Sequence, residues 1–383
     1  MEENIGAAIC RFQSVWQRPT RKAVVGFDAA IDKIMEVVDK RTGWDTYQRI
    51  PTITDYASRI QRAAGLSTNV EIVPKVVKTG GCAVNMASAL LNLGLSVSFA
   101  GTVGENNVHP LFAEFAERCT RMISMGEPSY AQALEFEDGK IIMAELAPMQ
   151  ELTWEKMIGR FPVAHQVQVY AEADVIAMVN WTETPHMNQI WHNLLEYVFP
   201  ELPPSRERLI FFDLADPEKR HDQELYAGLM LIRRFGLYGK VVLGLNRKEA
   251  TAVARALGIR CTTPLAEASL GEITKAIASA LDIHGVVVHP VSKAGLAMEG
   301  EYVEVQGPFT PNPRLVTGAG DNFNAGFVYG LALGLEPQDA LILGVGTSGF
   351  YVRNMGSPTA QELMDFLKAW GSAEGCSSLS SLG

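Results

Sequence analysis

Four short runs of the chain, 174–179 (DVIAMV), 209–212 (LIFF), 240–245 (KVVLGL) and 285–288 (GVVV), are almost wholly apolar, and helix-like stretches separate them. A strand with one face in water alternates apolar and polar residues, whereas a strand without that alternation is covered on both faces. Repeated units of this kind predict a mainly parallel central sheet with helices on both faces, and so an α/β fold. Three of the runs lead straight into a polar residue, Asn180, Asp213 or Asn246. Polar residues at strand exits gather along the carboxyl edge of an open sheet, which is where such sheets bind ligands.

Two regions break this rhythm. Residues 36–79 are rich in Thr, Arg, Ile and Val without clear helical periodicity, and 130–145 reads as two strands around Glu137-Asp138-Gly139, a good hairpin turn. Together they predict a small, discontinuous β lid over 36–79 and 126–150. The main domain is then 1–35, 80–125 and 151–370. The small, polar stretch 371–383 reads as a flexible tail.

Composition removes several classes. With 47% hydrophobic and 20% charged residues in 383, the chain has material for a large core. Its 33 basic and 43 acidic residues leave a net charge of −10, which disfavours nonspecific attraction to nucleic acid or an anionic membrane. The first residues lack a basic start and an unbroken apolar stretch, and nothing approaches the roughly 20 apolar residues of a membrane span. Five scattered cysteines with no zinc spacing suit reduced thiols, so a cytoplasmic protein is expected. In that compartment Asn180-Trp181-Thr182, though it matches a glycosylation sequon, carries no meaning.

Three local patterns carry chemistry. In the first, Thr317-Gly318-Ala319-Gly320-Asp321 precedes a segment with a helical apolar face. Main-chain N–H groups at such a helix start converge on an anion, with the positive end of the helix dipole behind them. An Asp there either caps the helix or takes the proton of a nucleophile attacking a bound phosphate. In the second, Gly80-Gly81 opens a helical stripe containing Asn85, whose amide offers donor and acceptor to a polyol. In the third, Asn246 and Glu249 follow a buried strand, three positions apart. Taken alone, that pair reads first as a capping box, and second as a holder of hydrated magnesium.

Together these patterns resemble the ribokinase-like carbohydrate kinases, also called the phosphofructokinase-B family, from about Val24 to Pro358. The matching segments are Gly26-Phe27-Asp28-Ala29-Ala30-Ile31-Asp32, Gly80-Gly81 with Asn85, Phe99-Ala100-Gly101-Thr102-Val103-Gly104, Asn246 with Glu249, and Gly318-Ala319-Gly320-Asp321. The resemblance implies an ATP- and Mg2+-dependent kinase that phosphorylates a hydroxyl of a sugar or related polyol. It implies Asp321 as general base, Gly318, Ala319 and Gly320 as anion hole, and Gly80, Gly81 and Asn85 as substrate contacts. Asp28 and Asp32 compete for the remaining substrate contact, and the offset favours Asp32. Asn246 and Glu249 would serve the nucleotide, Glu249 reaching the metal through water. Residues 347–354, Asn354 among them, would flank the adenine. A small sugar is the expected partner, with a homodimer built through the lid.

This chain also departs from the family pattern. Leu315 and Val316 stand where an Asp-Thr pair is common, so a response to potassium is not expected. His289-Pro290 stands where many members have Gly, and Glu105-Asn106 replaces a usual acidic residue. ADP as donor, a nucleoside as acceptor, or a silent sugar- or nucleotide-binding regulator are the alternatives. A dinucleotide fold would need a Gly-x-Gly-x-x-Gly turn after the first strand, and no P-loop sequence occurs. Arg41, Arg49, Arg59 and Arg62 in the lid region read as a solvated face, so an unphosphorylated acceptor is expected.

Overall fold

In the computed structural model, which describes residues 2–18, 20–205 and 207–372, the apolar runs become buried strands. The main sheet comprises β1 (Lys22–Gly26), β5 (Ser96–Gly101), β6 (Arg121–Ser124), β9 (Val175–Met178), β10 (Leu209–Asp213), β11 (Lys240–Leu245), β12 (Gly285–Val288), β13 (Lys293–Met298) and β14 (Glu301–Gln306). Its order is β14-β13-β12-β11-β10-β9-β1-β5-β6. All pairs are parallel except β12–β13 and β13–β14. Successive side chains of a strand point to opposite faces. Val25, Phe211, Val242 and Val287 accordingly join one core layer, while Val24, Phe212, Leu243 and Val288 join the layer on the other side. Each such buried side chain contributes about 1.5–3 kcal/mol through the area it removes from water.

The second sheet comprises β2 (Ala30–Arg41), β3 (Tyr47–Arg49), β4 (Ile72–Gly80), β7 (Ser129–Phe136) and β8 (Gly139–Glu145). Its order is β3-β2-β7-β8, with β4 also paired to β2. The hairpin turns over Glu137 and Asp138, with Phe136 opposite Gly139. Two details differ from the sequence reading. The lid sheet begins at Ala30 and includes Gly80, so Asp32, expected in the main domain, stands on a lid strand. A helix, Ile53–Arg62, lies inside 36–79, where Ile53, Tyr56, Ala57 and Ile60 do recur at helical spacing. Thr52 starts it by accepting from the Asp55 N–H, and Ile53 and Tyr56 pack on the lid core of Met35, Val37, Ile50, Leu134 and Phe136. The tail expected over 371–383 lies, beyond Ser372, outside the described residues.

Candidate active site

The carboxyl ends of β1, β9, β10, β11 and β12 run out at Asp28, Asn180, Asp213, Asn246 and His289 along one edge of the sheet. Two helices start above that edge, and their N-termini differ in use.

The helix Cys82–Asn92 has no side-chain cap from its own N-cap residue: Gly81 stands there with φ 95°. Asp28 supplies it instead, accepting from Cys82 N at 2.8 Å and Ala83 N at 2.9 Å. A Cβ on Gly81 would come within 2.8 Å of that carboxylate, so only glycine fits. Asn180 adds a third hydrogen bond to Asp28 at 2.9 Å. Asp28 is 3% exposed, and burial pushes its pKa up to about 6. Its oxygens are engaged in holding the helix rather than open to a ligand. Asp32 lies instead against Gly80, half-buried, with burial raising its pKa and Lys78 and Lys140 opposing the rise. Of the two carboxylates, Asp28 is committed to the helix start and Asp32 is the less buried.

The helix Ala319–Ala332 begins at Gly318, whose φ of 90° suits glycine and whose absent Cβ would lie 2.7 Å from the Tyr351 hydroxyl. Ala319 N donates to Val316 O at 3.1 Å, so this N–H, expected in the anion hole, is already used. Among the described residues, the N–H groups of Gly320 and Asp321 have no acceptor, as is usual in the first turn of a helix. The Asp321 carboxylate accepts from Asn85 Nδ2 at 2.8 Å, a contact that joins the two helix starts. Burial pushes its pKa up to about 7; the Asn85 hydrogen bond opposes that, and the charge of Asp28 adds to it. Asn85 thus serves Asp321 in this structure.

Beside Gly320 opens a cavity of about 390 Å³. Asn246, His289, Phe309 and Phe323 line it together with Ser348, Gly349 and Val352 of the helix Pro337–Asn354. Asn354 does not reach it: its amide is exposed and donates to Phe350 O of its own helix. Thr347, buried, hydrogen-bonds Leu343 O. Asn246 and Glu249 form the capping box, since Asn246 Oδ1 accepts from Glu249 N at 2.9 Å and Glu249 Oε2 from Asn246 N at 2.7 Å. Glu249 Oε1 accepts from Asp216 N at 3.0 Å, so direct metal ligation by this carboxylate would compete with two backbone contacts.

Sequence reasoning left several groups outside the site. Asp213, a strand-exit residue, is bonded by Asn324 at 3.0 Å, and its pKa is raised by burial and then by the charges of Glu249, Asp321 and Asp28. Asn180 bridges Asp28 and Glu183. The strand-exit position was the signal for both. Lys78, Lys140 and Tyr351 come from distant segments, and no local pattern marks them. Three of the four lid arginines are engaged within the lid, Arg41 with Glu71, Arg49 with Glu137, and Arg59 with Val38 O and Asn69 O, and Arg62 is exposed.

A family profile described as prokaryotic ketohexokinase matches residues 6–370. The ketohexokinase of Haloferax volcanii is 28% identical over 351 residues, which are 91% of each chain. Among solved structures, ribokinase from Thermotoga maritima superposes with a TM-score of 0.62 at 18% identity, over 91% of this chain and 99% of that one. Ribokinase of Arabidopsis thaliana, in complex with ribose and ATP, gives 0.61 at 17% identity over the same shares.

Proposed function

Since the chain belongs to the prokaryotic ketohexokinase family, and is therefore a carbohydrate kinase, we propose that it transfers the terminal phosphoryl group of ATP, with magnesium, to a hydroxyl of an unphosphorylated ketohexose. The observation that carries this reading is the position of Asp321. Its carboxylate sits in the first turn of a helix whose Gly320 and Asp321 N–H groups have no acceptor among the described residues, and the adjoining Gly320 lines the cavity.

In this reading Asp32 orients the sugar, and Asp321 accepts the proton of the attacking hydroxyl. The hydroxyl oxygen forms the new bond to phosphorus as the bond from that phosphorus to the bridging oxygen breaks, and ADP leaves with the electron pair. The N–H groups of Gly320 and Asp321 offset charge on the transferring oxygens. The cavity beside the Ser348–Val352 face takes the nucleoside.

The residues suit magnesium. The charges of Asp28 and Glu249 raise the pKa of both Asp213 and Asp321, a strain that a cation relieves. No group of three or more His, Cys, Asp or Glu able to hold a metal occurs among the described residues. Magnesium characteristically keeps several waters and leans on phosphate oxygens, so a full protein cage is not required. Asp213 and Asn246 would orient those waters, with Glu249 acting through water. The ion, when bound, neutralises phosphate charge. An unphosphorylated acceptor fits because the charges of Lys78 and Lys140 act on Asp32, while Arg41, Arg49 and Arg59 are engaged within the lid.

For the compartment we propose the cytoplasm. The four described cysteines carry no disulfide, and no described helix is long and apolar enough to cross a membrane.

The test is a panel of fructose, fructose phosphate, ribose, a deoxy keto sugar acid and a nucleoside, each with ATP or ADP, with magnesium, and with potassium added or omitted. Turnover of fructose with ATP, little changed by potassium, is the expected result. Turnover confined to a sugar phosphate, or faster with ADP, contradicts the assignment, and no turnover of any acceptor favours a silent regulator.

A further inference from the structure

Lys140 stands near the start of β8, in the lid, yet its ammonium reaches the main domain: Nζ donates to Thr317 Oγ1 at 2.8 Å. Its cross-strand neighbour is Glu135, but it forms no ion pair among the described residues. A flexible, half-buried ammonium that leaves an adjacent carboxylate for a hydroxyl in another domain is held there by the shape of the site.

Thr317 immediately precedes Gly318, the turn that aims the open N–H groups of Gly320 and Asp321. Its carbonyl accepts from the Tyr351 hydroxyl at 2.8 Å. The other ties of this approach run to the same helix as Tyr351, with Arg314 N and Leu315 N both donating to Val352 O. Lys140 therefore provides the one hydrogen bond, among the described residues, from the lid to the loop that shapes the anion cradle. Its charge also acts on Asp32, the lid carboxylate proposed to orient the sugar.

We propose that Lys140 is a positioning residue: through Thr317 it sets the Gly318 turn in register with an acceptor held under the lid. This rests on the phosphoryl-transfer reading. A bond to a charged donor typically changes an equilibrium by about tenfold or more, and small misplacements of reacting groups are felt strongly in rate.

The experiment compares the parent with Lys140→Met, Thr317→Val and the double variant, by steady-state kinetics and melting. Each single change should lower kcat about tenfold, leave nucleotide KM within about twofold, and melt close to the parent. The double variant should be no slower than the slower single one, because both remove the same contact. Lys140→Arg should recover part of the loss. Two separate losses multiplying to about a hundredfold would give Lys140 a role independent of Thr317, and unchanged kcat with lower melting would reduce it to a tether; either overturns the proposal. Amide exchange over 139–145 supplies a readout independent of turnover. It should quicken in Thr317→Val, and unchanged exchange contradicts the latch. A parent inactive on every acceptor would remove the transfer reading, and exchange would still decide whether the latch exists.

Discussion

At the scale of single residues, the site is a contest between burial and hydrogen bonding. Asp321 is drawn up to about 7 by burial, and the Asn85 amide opposes this by favouring the carboxylate. A general base works only when deprotonated, so kcat/KM should fall as pH drops through about 7. Asn85→Leu removes the stabilising donor, so the point at which activity is lost should move to higher pH. Matched pH profiles of kcat/KM for the two proteins check this, and coincident profiles would detach Asn85 from the titration. The Asn85–Asp321 contact links residues 236 apart in sequence. Sequence patterns pick out both residues, but their partnership depends on packing that no local spacing encodes. Asp28 shows the opposite failing. Its motif position suggests a substrate contact, while the folded chain commits its oxygens to two backbone N–H groups and Asn180.

The elements explain why. Gly81 cannot cap the Cys82–Asn92 helix with a side chain, so the cap arrives from the end of β1. Asp28→Ala should then cost about 2–4 kcal/mol, through two lost helix-start bonds and a stranded Asn180 amide. Denaturant unfolding measures the cost, and acceptor KM for the folded fraction should change little. A variant as stable as the parent but with a greatly raised acceptor KM would return Asp28 to the substrate. Strands β9, β10, β11 and β12 were legible because burial on both faces leaves unbroken apolar runs, whereas β6 and β14, at the two edges of the sheet and less buried, leave no such run. The Ile53–Arg62 helix was not legible, although Ile53, Tyr56, Ala57 and Ile60 stand at i, i+3, i+4 and i+7, because the Thr- and Arg-rich stretch around it reads as irregular. Asn246 and Glu249 keep both readings: the capping box is formed, and Asn246 still lines the cavity.

For the molecule as a whole, two sheets meet over one helix start. The lid sheet leaves Val76, Val77, Ile142 and Met143 exposed on β4 and β8, which lie on opposite sides of β2 and β7, and such open apolar edges would gain from pairing with a second copy. Light scattering at assay concentration should give a dimer, and Ile142→Lys should weaken it; a monomeric parent would refute this. The account as a whole turns on Asp321. Asp321→Asn keeps the size of the side chain and removes a carboxylate that is costly to bury, so the variant should melt at or above the parent temperature at pH 8. Its turnover should fall on the order of 10²–10⁴-fold. The decisive measurement is turnover and melting on the same preparations of parent and Asp321→Asn, with ATP, magnesium and fructose. A variant that melts like the parent and loses at least 10²-fold in turnover is what this account predicts, whereas one that keeps more than about a tenth of the parent's rate would contradict it.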